Sequence, residues 1–165
     1  MARIGPELPD GPLVSFGLCG ALVDGLSPGT IVTARSVVDE AGEALWEGPP
    51  RAVAGARAVV LCAAGRIVDA AGERTSLAER SGAEVVDLES GRQAATGRLA
   101  GVVRVVSDTP SVPLGPLAGA VTSAGETDVR AAVRAFLLAP RASLRAARAG
   151  RRALAALERA AADLA

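Results

Sequence analysis

The sequence predicts an α/β fold, a three-layer α/β/α domain built on a mixed, largely parallel sheet. Three observations carry that expectation. Val-rich apolar runs occur without polar alternation, as in strands covered on both faces. Helical patterns separate those runs, which suits a layered sheet. Glycines and prolines punctuate the boundaries between them.

The elements follow in order. Pro12 to Gly17 reads as a short buried strand ending at a glycine turn. Gly29 to Ala34 is a second strand, entered from the turn Leu26-Ser-Pro-Gly29. Trp46 to Pro50 has the composition of a loop. Ala58 to Ala63 is a third strand, and Glu73 to Arg80 a short helix. Ala83 to Leu88 is a fourth strand, running into a helix from Ser90 to Leu99. Gly101 to Val106 is a fifth. Thr109 to Gly125 is rich in Pro and Gly and is expected to form a loop over one end of the sheet. Thr127 suits the N-cap of a helix ending before Pro140. Arg141 to Leu164 is a last helix, with Leu154, Leu157, Ala161 and Leu164 along one face and Gly150 as its weak point.

Composition removes whole classes of chemistry. The 165 residues suffice for one domain with a real core, and half of them are hydrophobic. Phe16, Trp46 and Phe136 are the only aromatics, so Val, Leu, Ile and Ala must build that core. The sequence contains no His and no Lys. That excludes Ser–His and Cys–His nucleophile pairs, His-containing metal sites, Schiff bases and Walker-type phosphate lysines. Catalysis is left to Asp, Glu, Arg, hydroxyls and backbone groups. Cys19 and Cys62 each sit in an apolar run, which reads as buried, reduced thiols and a cytoplasmic setting. Met1 to Asp10 lacks the basic-then-apolar order of a signal peptide, and no apolar run reaches membrane-spanning length. Six arginines lie between Arg141 and Arg159, yet 18 basic residues balance 18 acidic ones. A solvated helix face is expected there rather than a nucleic-acid surface.

Three segments place polar groups at the ends of buried strands. Ser15-Phe-Gly-Leu-Cys-Gly-Ala21 brings closely spaced glycines after a strand, so that backbone N–H groups can approach a ligand. Val85-Val-Asp-Leu-Glu-Ser90 carries Asp87 and Glu89, which share one side if the strand continues. Val102-Val-Arg-Val-Val-Ser-Asp108 delivers a Ser-Asp pair at a C-terminal strand end, where ligands of α/β sheets usually bind. Each carboxylate also has a structural alternative: Asp108 capping the Pro-rich turn, Asp87 pairing with an arginine.

Together the three segments resemble the purine nucleoside phosphorylase/nucleosidase (PNP/UDP phosphorylase) superfamily. Its glycine segment and following turn and strand are similar to Ser15–Ala34, with Thr30 where the family usually has Asp. Its acidic-Met-Glu element resembles Asp87-Leu88-Glu89, and its Val-Arg-x-x-Ser-Asp strand matches Val103–Asp108. Gly72-Glu-Arg, Gly82-Ala and the Arg/Ala/Leu-rich tail look most like the branch associated with hopanoid biosynthesis. The resemblance implies a single phosphorylase/hydrolase-like domain over residues 1–165, a purine nucleoside as ligand, no metal or cofactor, and homo-oligomers.

It also implies a division of labour. Asp108, protonated at rest, would donate to the purine N7 as the base leaves, with Ser107 orienting its carboxyl group. Glu89 would hold the ribose hydroxyls against the developing cation, and Leu88 would pack behind the sugar. Gly17 and Cys19 would line the ligand through the glycine segment, and Arg66 to Val68 would line the base. Asp108 can also accept from an exocyclic amine, which favours adenine nucleosides. Related phosphorylases have Arg and Ser where this chain has Ser15 and Leu18; a leucine cannot bind phosphate, which argues against phosphorolysis. Relatives begin with a further strand and glycine loop before the segment matching Ser15. That element is expected to be missing here, leaving a sheet edge uncovered. A non-catalytic nucleoside-binding homologue is the alternative.

Overall fold

A computed structural model describes residues 11–115 and 138–164. Six strands form one mixed sheet: β1 (Leu13–Ala21), β2 (Ile31–Val38), β3 (Ala44–Glu47), β4 (Arg57–Ala63), β5 (Val85–Asp87) and β6 (Leu99–Asp108). Among the described residues three helices accompany it, α1 (Ala71–Ser81), α2 (Ser90–Ala94) and α3 (Pro140–Ala162).

The α/β class and the mixed sheet agree with the sequence, and the described strands close on themselves. The strand order is β3-β2-β4-β5-β1-β6, and β6 also pairs with β2. Ile31↔Val105, Val32↔Arg104 and Thr33↔Val103 make this closing ladder, which is antiparallel. Five strands thus form a barrel-like ring with β3 appended outside it. The sheet's two longest ladders are parallel. β1–β6, β2–β4 and β4–β5 are parallel, while β1–β5, β2–β3 and β2–β6 are antiparallel. The closure rests on β6, which is long enough to ladder with β1 along one edge and β2 along the other.

The pleat of β6 sorts the core. Val102 and Val106 turn into the ring, where they meet Cys19, Ala21, Val32, Val37, Leu61 and Val85. Val103 and Val105 face outward and meet Ala160, Ala153 and Ala156 of α3. On another side, Leu77 of α1 packs with Val38, Cys62, Val68 and Val86. The Ala residues of α3 let its backbone lie close to β6.

Several boundaries move from their expected places. Trp46 lies in strand β3, not in a loop: Asp39 Oδ1 accepts the Ala41 and Glu43 N–H groups at 2.8 and 2.9 Å and tightens the turn from β2. Trp46 Nε1 then donates to the Leu99 carbonyl at 2.7 Å. The helix expected from Ser90 to Leu99 stops at Ala94, followed by Gly97 at φ +67°, and β6 already begins at Leu99. Helix α3 runs unbroken through Gly150. Its buried stripe is Ser143, Ala146, Ala149, Ala153, Ala156 and Ala160, while Leu154 and Ala161 are exposed. The expected helix from Thr127, and the Pro/Gly-rich segment beyond residue 115, lie outside the described residues.

One irregularity positions the site. β1 meets β5 only at Gly20↔Val86 and Ala21↔Val85, whereas its ladder with β6 runs from Leu13 to Gly20. The ring is therefore splayed beside the middle of β1, and a cavity opens there.

Candidate functional site

The cavity is about 450 Å³ and is walled by the C-terminal parts of three strands. Phe16 to Gly20 of β1 form one side, Val86 to Glu89 the second, and Ser107 with Asp108 the third. Arg66 to Val68 and Leu114 complete the rim, with Gly150 of α3. Every residue that the sequence nominated for the site lies on this wall: Gly17, Cys19, Leu88, Glu89, Ser107 and Asp108. The Arg66–Val68 stretch also lies there.

The two acidic side chains have contrasting surroundings. β5 ends at Asp87, so Asp87 and Glu89 do not share one strand face as expected. Asp87 turns inward and is buried, whereas Glu89 precedes the first turn of α2 with a side chain 63% exposed. Glu89 Oε2 stands 3.7 Å from Arg104 Nη2 at the cavity mouth. Asp108, at the end of β6, is buried. Ser107 Oγ lies 2.5 Å from Asp108 Oδ1 and 3.1 Å from the Cys19 carbonyl oxygen. A hydroxyl has one proton, so Ser107 can give it to either acceptor.

Two fully buried arginines organise these carboxyl groups. Arg104 faces the inside of the ring: its Nε donates to Asp87 Oδ2 at 2.7 Å and its Nη2 to Ser15 Oγ at 2.5 Å and Ser90 Oγ at 3.1 Å. Ser90 closes the network by donating to Asp87 Oδ2 at 2.6 Å. Asp87 therefore takes its structural alternative, the pairing with an arginine, and Ser15 is consumed in the same network. A Cβ at Gly17 would come within 3.3 Å of Arg104 Nη1, so the glycine admits the guanidinium beneath the cavity wall.

Arg74, on the first turns of α1, is the second. Its Nη2 is ion-paired with Asp108 Oδ2, and its Nη1 donates to the Ala21 carbonyl at 2.7 Å. Nη2 also reaches Asp69 Oδ1 at 3.4 Å. Asp69 in turn accepts the Leu114 and Gly115 N–H groups, both at 2.9 Å. The end of β6 thus surrounds Asp108 with charged and polar groups. Arg74 and Asp69 were missed. On a helix between two charged neighbours, Glu73 and Arg80, Arg74 has nothing in the sequence to separate it from surface arginines. Only its one-turn spacing from Leu77 marks the inward face.

The thiols take no part in this chemistry as nucleophiles. Burial pushes the Cys19 thiol far up, and the Cys62 thiol is pushed up to about 11, mainly by burial. Both are free cysteines.

The fold is similar to that of a solved nucleosidase, at low sequence identity. The 5′-methylthioadenosine/S-adenosylhomocysteine nucleosidase of S. pneumoniae, solved with a transition-state inhibitor, matches at a TM-score of 0.50 and 14% identity, over 91% of this chain and 70% of that one. Helicobacter pylori MTAN gives 0.47 and 16%, over 59% of this chain and 57% of that one. Schistosoma mansoni purine nucleoside phosphorylase with inosine gives 0.46 and 16%, over 59% and 47%. The chain thus spans little more than half the length of the Helicobacter nucleosidase. The sequence matches no protein-family model and no curated protein.

Proposed function

We propose that the chain binds purine nucleosides, adenine nucleosides above all, and hydrolyses their N-glycosidic bond. One observation carries this reading: Glu89 and the Ser107–Asp108 pair, 18 residues apart in sequence, border the same cavity. Cleavage places positive charge on the ribose and negative charge on the departing purine, so the site needs an anion near the sugar and a proton source near the base. Glu89 at the mouth is the anion for the sugar and its hydroxyls. Asp108 on the inner wall is the acid: it gives its proton to N7 as the C1′–N9 bond breaks and the bonding pair leaves with the base. Water adds its oxygen to C1′ and releases a proton. Ser107 supports this role, because it can turn its own proton to the Cys19 carbonyl when Asp108 Oδ1 carries one.

Water is preferred to phosphate as the attacking group. Leu18 lines the cavity and has no donor, and Ser15 is fully buried outside its lining, so neither offers a phosphate a donor there. The likeness to the hopanoid-associated branch, a single nucleosidase-like domain over residues 1–165, homo-oligomers and a cytoplasmic setting belong to the same proposal. Among the described residues no helix is long and apolar enough to cross a membrane.

Adenine release from adenosine and 5′-methylthioadenosine, followed by chromatography, tests the reaction. Wild-type protein is expected to release adenine, and Asp108→Asn to lose at least about a hundredfold in rate, the usual contribution of a general acid. Release that survives in Asp108→Asn removes Asp108 from the mechanism. The second reading is a nucleoside-binding protein without turnover. The Arg74–Asp108 ion pair favours it, because it commits Oδ2 to a cation.

A further inference from the structure

Arg74 has no place in the chemistry above, although it is completely buried and touches Asp108 directly. A buried cation has to be compensated by partners, and Arg74 has four: Asp108, the Ala21 carbonyl, the Asp69 side chain and the Asp69 carbonyl, which accepts from Nε at 3.3 Å. These contacts hold the guanidinium fork in one orientation, with Nη2 against Oδ2 and not against Oδ1. The second oxygen is left to Ser107. The carboxyl group of Asp108 is thereby made asymmetric. An oxygen held by a permanent cation stays an acceptor, whereas an oxygen held by a hydroxyl can carry or give up a proton.

The neighbouring glycine supports this arrangement. A Cβ at Gly20 would lie 2.8 Å from Oδ2 and 3.2 Å from Arg74 Nη1, so only glycine leaves room for the pair at this point. Gly20 also belongs to the cavity wall, which puts Oδ2 beside the bound base.

From this geometry we propose that Arg74 is a positioning residue that fixes Oδ2 of Asp108 as an acceptor and so selects purines carrying an exocyclic amine at C6 over purines carrying a carbonyl there. The inference rests on the nucleoside reading of the cavity. An amine donates to Oδ2; a carbonyl oxygen at the same place faces a second acceptor and is rejected. The buried polar mismatch, not lost contact area, supplies the discrimination. Asp69 extends the device to the rim, since the Leu114 and Gly115 N–H groups close on the carboxylate that braces Arg74.

Calorimetric titration of the full chain with adenine and with hypoxanthine tests the inference without requiring turnover. Wild-type protein is expected to prefer adenine by at least about tenfold. Arg74→Gln is expected to bring the ratio near one, because either oxygen of Asp108 can then hold a proton and donate to the carbonyl. Arg74→Lys keeps a cation at Oδ2 and is expected to restore most of the preference. A purely structural role would weaken both ligands alike and leave the ratio unchanged. Gly20→Ala is the second variant, chosen should Arg74→Gln fail to fold; it crowds the pair without altering charge and is expected to lower the ratio as well. An unchanged ratio in the folded variants overturns the inference while leaving the nucleoside reading intact. Adenine binding without release from nucleosides overturns turnover and leaves the inference standing. Binding of neither base overturns both.

Discussion

Arg104 shows what a single buried charge can hold together. It joins Asp87, Ser15 and Ser90, contributed by three different elements, inside a ring otherwise filled by Val, Ala, Leu and Cys19. Removing one partner of such a pair leaves an uncompensated charge. Arg104→Met is therefore expected to destabilise the fold by about 3–5 kcal/mol in urea titrations, and Arg104→Met combined with Asp87→Leu by clearly less. A double variant no more stable than Arg104→Met would mean that the cost lies in packing instead. At this scale the sequence was informative where side chains end strands. Asp108 and Ser107 could be located because an apolar run delivers them to a C-terminal strand end, and Asp87 had its arginine pairing among the alternatives. Which arginine goes inside could not be read. Arg104 and Arg74 are among 18 arginines, and burial is decided by contacts across the ring.

Helix α3 illustrates how an element can be read correctly and oriented wrongly. Its extent was legible from a long run without a breaker other than Gly150, yet its buried face was assigned to leucines. The observed stripe of small residues lies one position away, at Ala153, Ala156 and Ala160. Leu157 and Leu164 are shared by both readings. Hydrophobic size misled because close approach to Val103 and Val105 of β6 leaves room for methyl groups only. Ala156→Leu should therefore overpack this contact and cost about 1–3 kcal/mol. Leu154→Ser, on the exposed face, should stay within about 0.5 kcal/mol. Equal effects of the two, read from thermal or urea unfolding, would contradict the assigned face. β3 was missed for a different reason: four residues, with an apolar run of only three, acquire strand character through the Asp39 turn and the Trp46 anchor on Leu99.

At the scale of the whole molecule, closure was the least legible feature. Nothing in Ile31–Thr33 or Val103–Val105 announces that these segments pair with each other, because ladder hydrogen bonds use backbone groups common to every residue. The Val-rich runs fit strands covered on both faces, whether a second helical layer or the ring interior covers them. The buried thiols give the closed core a pH signature. The Cys62 thiol is raised from 9.0 to about 11 in the folded state, mainly by burial, so folding favours its neutral form. That stabilisation is complete below pH 9 and disappears as pH rises through about 11. Cys62→Ala should flatten the alkaline fall in stability over this window, and a fall of unchanged steepness would assign it elsewhere. Alkylation of either cysteine should be slow in the folded protein and fast in denaturant.

The account depends on one cavity holding a sugar at Glu89 and a base at Asp108. Calorimetric binding of adenosine and of 2′,3′-dideoxyadenosine to wild type and to Glu89→Gln tests this most directly. Wild type should favour adenosine by about 1.5–3 kcal/mol, the worth of hydrogen bonds to a charged group, and Glu89→Gln should lose most of that preference. Equal affinity of wild type for the two ligands, or binding of neither, would contradict it.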